Sequence, residues 1–234
     1  MAFDRILGQE QPKKILKNAL QNSSVAHAYL FHGQESIGKK QIAIELAKSL
    51  NCASPIKGDA CDECISCQKI ENRIHPDFFF IEPEKKTPAA REAVIAIDAI
   101  RELQRKLAFH PYEGKVKVAI IDTVDRINLQ AANSFLKTLE EPPSATILIL
   151  ISSNPFKLLP TLLSRCQTIQ FQPLTQENIK KILEEIMTEE KIENDTLAFR
   201  TLRSRGSVKK ALAEDIENIV NIRKEIVSLL ETIS

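Results

Sequence analysis

Four of the five cysteines in this 234-residue chain crowd into one short stretch, Cys52, Cys61, Cys64 and Cys67, spaced C-x8-C-x2-C-x2-C with Gly58 in the long connection. Four thiolates can surround Zn²⁺ tetrahedrally, and two-residue spacers let successive sulfurs turn toward one ion. With every position filled by protein there is no open place for water, so such a zinc is structural rather than catalytic. The alternative, four free buried thiols, sits poorly with this clustering. Cys166 stands apart and reads as a small buried residue.

A second constellation is GQESIGKK, residues 33–40, in which Gly33, Gly38 and Lys39 give the G-x-x-x-x-G-K spacing of a phosphate-binding loop. A bare match also fits any glycine-rich turn before a helix. Backbone N–H groups and the helix N-terminus could cradle phosphates, with Lys39 reaching them. The next position should carry a hydroxyl for Mg²⁺, but it is Lys40. An ammonium repels a metal ion and offers it no lone pair. The partner motif of such a site is an apolar strand ending in Asp and then Glu. Here VAIIDTVD has Asp122 at the strand end and Thr123 in the Glu position, where it cannot orient an attacking water. Asp125 is expected to start or cap the following turn. The two departures strike metal and base together, so the chain alone is expected not to hydrolyse ATP and to bind ATP or ADP weakly at most.

These residues need elements to hold them. AYLF (28–31) is an apolar run leading into the loop, and KKQIAIELAKSL (39–50) leaves it with Ile42, Leu46 and Leu50 on one helical face. Further strands are predicted at 77–82, 117–122, 146–152 and 168–171, with helices at 12–20, 94–109 and 129–141, the last stopped by Pro142-Pro143. Near-continuous apolar strands alternating with helices predict an α/β fold with a parallel five-stranded sheet covered on both faces. After Pro173 the pattern is helical only: about 175–187, with Thr175 at its start, then 194–204, 207–214 and a further helix to the end. PEKKTPAARE (83–92) is the most loop-like segment.

Composition is ordinary for a globular chain, 43% apolar and 27% charged, and the net charge of +1 supplies no global field toward nucleic acid or membrane. No apolar run approaches the ~20 residues that span a bilayer, and the N-terminus lacks a signal-peptide core. A reducing cytoplasm, with no membrane partner, is the expected location, which again sets disulfides aside.

AYLFHG, the GK pair, LKTLEEPP (136–143) and LLSRCQ (162–167) together resemble the bacterial clamp loader of the DNA polymerase III holoenzyme, and the cysteine spacing resembles that family's zinc module. The likeness runs to about residue 213. Within the family, HPDFFFIEPE (75–84), Lys40 and DTVD are similar to the delta-prime type rather than the ATP-hydrolysing gamma/tau type. The resemblance implies an AAA+ module over 1–173 with the zinc module at 52–67, and a helical lid over 174–213. Residues 214–234 would begin a helical collar, which is too short here to be complete. It further implies a non-hydrolysing stator in a pentameric ring with gamma/tau and delta subunits, helping to load the sliding clamp onto primed DNA. Arg165, in Ser164-Arg165-Cys166, would be the arginine finger offered to a neighbouring ATPase site, since a planar guanidinium suits the charge of a transferring phosphoryl group. By chemistry alone it is an ordinary surface charge. In GSVKKAL (206–212), Lys209 stands where the family's second nucleotide sensor has Arg, so Gly33, Gly38, Lys39, Lys40, Asp122 and Lys209 make a degenerate nucleotide site. Arg101, Arg105 and Lys137 are candidate DNA contacts by the same likeness, and equally a solvated helix face.

Two other readings compete. An active gamma/tau-type motor would want Ser or Thr at 40 and Glu at 123. A zinc-dependent nucleic-acid module would want a basic finger, whereas residues 52–67 hold Lys57 against Asp59, Asp62 and Glu63. The four histidines, His27, His32, His75 and His110, suggest no cluster of their own.

Overall fold

The computed structural model describes residues 3–85, 92–186 and 194–213. The chain divides into two compact units. One runs up to Gly33 and resumes from Gly38 to Phe171; the other takes in Gln34–Ile37 and the chain from Gln172 on.

The first unit is built on five strands, β1 (Ala28–His32), β2 (Phe78–Ile81), β3 (Lys117–Ile121), β4 (Thr146–Ser152) and β5 (Gln167–Gln170). They lie in the order β2-β3-β4-β1-β5 with every pairing parallel. Register sets Leu30 beside Leu150, and Ala119 beside Leu148. Both β3 and β4 are buried at every position, as strands covered on both faces must be. The edge strand β5 buries only Ile169, which explains its faint apolar signal.

Six helices accompany the sheet: α1 (Glu10–Gln21), α2 (Lys39–Asn51), α3 (Ile65–Glu71), α4 (Ile97–Leu107), α5 (Leu129–Glu140) and α6 (Pro160–Leu163). One core combines Ile100, Leu103 and Leu107 of α4 with Phe135 and Leu139 of α5 against Ala119, Ile121, Leu148 and Leu150. Asn128 caps α5 by accepting the Ala131 N–H at 2.8 Å. The predicted helix over 94–109 is shorter than its apolar pattern. Val94 pairs with Glu84, and Ile95 exchanges backbone bonds with Arg126 and Asn128, so these residues are extended and the helix begins at Ile97. Neither α3 nor α6 was expected; both are too short to show a period.

In the second unit, α7 (Gln176–Ile186), α8 (Asn194–Arg203) and α9 (Val208–Ala211) bury Ile179, Leu183, Leu197 and Ala211. Thr175 accepts the Asn178 N–H at 3.3 Å, a side-chain cap for α7. Gly206 has φ +81°, and a Cβ there would lie 2.6 Å from Pro173 Cβ, so this turn needs glycine. The expected helix 207–214 is the single turn α9. Most of the 83–92 loop, and the helix and collar expected over 214–234, lie outside the described residues.

Candidate functional site

The cysteine centre is assembled from two helix ends. Cys52 follows the last residue of α2, Cys64 immediately precedes α3, and Cys67 lies in the first turn of α3. All four sulfurs lie within 4.8 Å of one another, and Cys52 Sγ is 4.0 Å from Cys64 Sγ. A tetrahedral zinc with Zn–S bonds of ~2.3 Å has sulfurs about 3.8 Å apart, so the four fit such an ion. Backbone N–H groups already point at sulfur: Cys61 N to Cys52 Sγ at 3.4 Å, and Cys64 N to Cys61 Sγ at 3.3 Å. Burial works against the Cys64 thiolate, but the N–H groups of Ala53 and Cys67 and the neighbouring thiols outweigh it, bringing that thiol to about 6. Burial pushes Cys52 and Cys67 up. Cys166 lies apart from this centre, its thiol pushed up to about 11 by burial.

Buried charge fixes the knuckle. Lys48 of α2, 4% exposed, donates to Asp62 at 2.7 Å and Glu71 at 2.8 Å on the cysteine segment, and pairs with Glu45 at 2.6 Å. Burial drives the Glu45 carboxyl up to about 7 against the pull of Lys48. Asp59, also buried, accepts the N–H groups of Phe3 and Ala60. Asp59 and Asp62, two of the acids that weigh against a basic finger, are therefore structural.

At the glycine loop, Gly33 and Gly38 take φ +143° and +99°, and Gly38 sits at the N-cap of α2. Lys39 is buried and its Nζ donates to the Gly33 carbonyl at 2.6 Å. Lys40 Nζ lies 2.5 Å from Glu82 Oε1 and 3.4 Å from Asp122 Oδ2, and 4.6 Å from the Phe80 ring centroid. An ammonium thus sits against the Glu82 and Asp122 carboxylates together. Thr123 takes φ +52°, and its hydroxyl donates to Asp122 Oδ1 at 3.4 Å. Asp125 neither starts nor caps the turn Val124–Arg126, whose N-cap is Thr123; it lies in the middle of that turn and accepts from Ser152 Oγ at 2.9 Å and Ser153 N at 3.0 Å, tying the turn after β3 to the end of β4. Glu82 was missed; like Asp122 it is an acid following an apolar strand, a signal the sequence does carry.

Arg165 follows α6, its guanidinium one-third exposed and 2.5 Å from Glu140 Oε1, with a further bond to the Thr161 carbonyl at 2.9 Å. Glu140, the last residue of α5, lies inside LKTLEEPP but had been given no role. In the second unit Lys209 pairs with Glu35 at 3.1 Å. Arg101 and Arg105 lie on α4 and Lys137 on α5, all exposed. Between them Gln104 bonds across to the Ser134 carbonyl at 2.9 Å and to Thr138 Oγ1 at 2.8 Å. His75 is buried with Nδ1 accepting the Asp77 N–H at 3.1 Å, a packing role. Among the described residues no helix is long and apolar enough to cross a membrane.

A family model described as "DNA polymerase III, delta subunit" matches residues 8–175. DNA polymerase III subunit tau of Escherichia coli K12 is 35% identical over 90% of this chain and 32% of its own length. Subunit delta' of Bacillus subtilis 168 is 37% identical over 74% of this chain and 51% of its own length. The chain thus spans between about a third and half of these two relatives. Among solved structures, a DNA polymerase III gamma subunit-related protein of Thermotoga maritima shares the fold, with TM-score 0.57 and 23% identity over 85% of this chain and 55% of that one. So does the RuvB Holliday junction branch migration motor of T. maritima, with TM-score 0.57 and 18% identity over 90% of this chain and 61% of that one. The match over 8–175 places the chain, parallel sheet and cysteine centre included, in the clamp-loader family of DNA polymerase III subunits.

Proposed function

We propose that this chain is a delta-prime-type stator of the DNA polymerase III clamp loader. In this reading it does not hydrolyse ATP; it stands in a pentameric ring with gamma/tau and delta subunits, presents Arg165 to a neighbour's ATP, and so helps place the sliding clamp on primed DNA. The observation that carries the reading is Lys40, whose ammonium pairs with Asp122 and Glu82. A site holding its own cation there has no vacancy for Mg²⁺, and Thr123 supplies no base. Arg165, by contrast, keeps its guanidinium partly exposed, where a partner could reach it. The cysteine centre would hold one structural zinc through Cys52, Cys61, Cys64 and Cys67.

One observation favours a second reading, a gamma/tau-type motor: the E. coli tau match extends over more of this chain than the B. subtilis delta' match, 90% against 74%. Turnover separates the two. The isolated chain should show no Mg²⁺-dependent ATPase above background, and adding it to gamma/tau and delta subunits should raise their DNA-stimulated hydrolysis. Robust turnover by the chain alone, abolished in Lys39→Ala, would overturn the stator in favour of the motor.

A further inference from the structure

We infer that the cysteine module is a brace for the segment Phe109–Val116 between α4 and β3, an inference that rests on the zinc reading above. Three ties join the two. Lys69 of α3 donates to both carboxylate oxygens of Glu113 at 2.8 Å. Lys115 Nζ donates to the carbonyl of Cys52 at 2.7 Å. Asn51, next to Cys52 at the end of α2, accepts the N–H groups of Lys115 at 2.9 Å and Val116 at 3.1 Å through one side-chain oxygen. Packing is equally close: a Cβ on Gly114 would meet Asn51 Oδ1 at 2.7 Å and His75 Cε1 at 3.2 Å. The segment has a second, independent anchor in Asp77, whose carboxylate accepts the N–H groups of Tyr112, Glu113 and Gly114 at 2.7, 2.9 and 2.7 Å.

The metal matters to these ties because of where they start. A helix of seven residues such as α3 does not hold itself together in water, so its order comes from its surroundings. Those surroundings are Ile70, which is buried, and the sulfurs of Cys64 and Cys67, which bracket its first turn. An ion gripping those sulfurs together with Cys52 fixes both Lys69 and the Cys52 carbonyl, the two points from which the segment is held. The braced segment also carries Phe109 and Tyr112, which are 73% and 85% exposed.

Site-resolved hydrogen exchange on the full chain tests this, because exchange reports local opening amide by amide. Metal content is measured first on each protein. In Cys61→Ser, which alters a sulfur whose residue makes none of the three ties, the amides of Lys115 and Val116 should exchange at least tenfold faster than in the zinc-loaded parent. Those of Tyr112, Glu113 and Gly114 should change less, being held by Asp77, and those of β4 should not change. Lys69→Met should keep its zinc and still speed exchange at Lys115 and Val116, with a smaller change at Glu113, whose N–H Asp77 also holds. Unchanged exchange at Lys115 and Val116 on metal loss, with β4 intact, overturns the brace. Absence of zinc from the parent overturns only the zinc reading. In that case, or if Cys61→Ser also opens β4, Lys69→Met decides: faster exchange supports the brace and unchanged exchange ends it.

Discussion

A hydroxyl at position 40 would lend Mg²⁺ a lone pair; the lysine found there supplies a fixed positive charge instead, set 3.4 Å from Asp122 and 2.5 Å from Glu82. These groups are partly exposed, so their pairing contributes little to stability, of the order of 1 kcal/mol or less. Its consequence is chemical: the carboxylate at the end of β3 is already neutralised. Lys40→Thr should therefore leave the fold intact and the purified chain still inactive toward ATP, because Thr123 remains where the base belongs. Phosphate release from Mg·ATP measures this, and turnover clearly above that of the parent would show that the metal ligand alone had been missing. The departure at Lys40 was legible because the loop motif assigns a role to each position. Its partnership with Glu82 was not, since that depends on β2 lying beside β3, a neighbour relation that strand patterns do not specify. Glu140 escaped for the same reason: nothing in LKTLEEPP says that α5 ends beside Arg165, two residues past α6.

Apolar strands and helices long enough to show a period were readable, whereas the short helices α3 and α6 were not. The apolar runs of β1, β3 and β4 and the faces of α2 and α5 carry the parallel sheet in plain view. Val94 and Ile95 continue the apolar spacing of α4 but lie in extended bridges, so the pattern alone could not mark where the helix starts. The seven residues of α3 offer two turns and no stripe, and their order comes from the cysteines on either side of Ile65. For that element a metal held by those cysteines would be the organising force, which gives a sharp expectation. The purified chain should carry about one zinc. Cys61→Ser should lose it, while Cys166→Ser should keep it, because Cys166 lies apart, packed against the core on the sheet. Acid should release the metal as protons compete for the thiolates, and neutral pH should restore it. Metal analysis and a chromogenic chelator read all three; a parent with no zinc, purified without chelators, would refute the assignment.

Taken whole, the proposed stator would pair a nucleotide-type loop whose Lys40 already meets Glu82 and Asp122 with an arginine offered to a neighbour, an asymmetry that would have a purpose in an assembly. Arg165 rests on Glu140 at 2.5 Å, both groups partly exposed, so the pair is weak enough for a more highly charged phosphate to draw the guanidinium away. An arginine finger, the role proposed for Arg165, contributes about 10³-fold or more to phosphoryl transfer at the site it serves. A single interface of a ring would depend on this one, so total hydrolysis should fall by much less. With the chain carried in a complete subunit and assembled with gamma/tau and delta subunits, Arg165→Ala should leave assembly unchanged on size-exclusion chromatography. It should nonetheless lower DNA-stimulated ATP hydrolysis and slow clamp loading. Arg165→Lys should rescue poorly, since a point charge does not reproduce the planar fork. Glu140→Gln, which keeps the shape but frees the guanidinium, should retain the activity that Arg165→Ala loses. Loading at the parental rate by an assembled Arg165→Ala ring would mean that the chain contributes architecture alone, and that the ion pair with Glu140 is an ordinary surface contact.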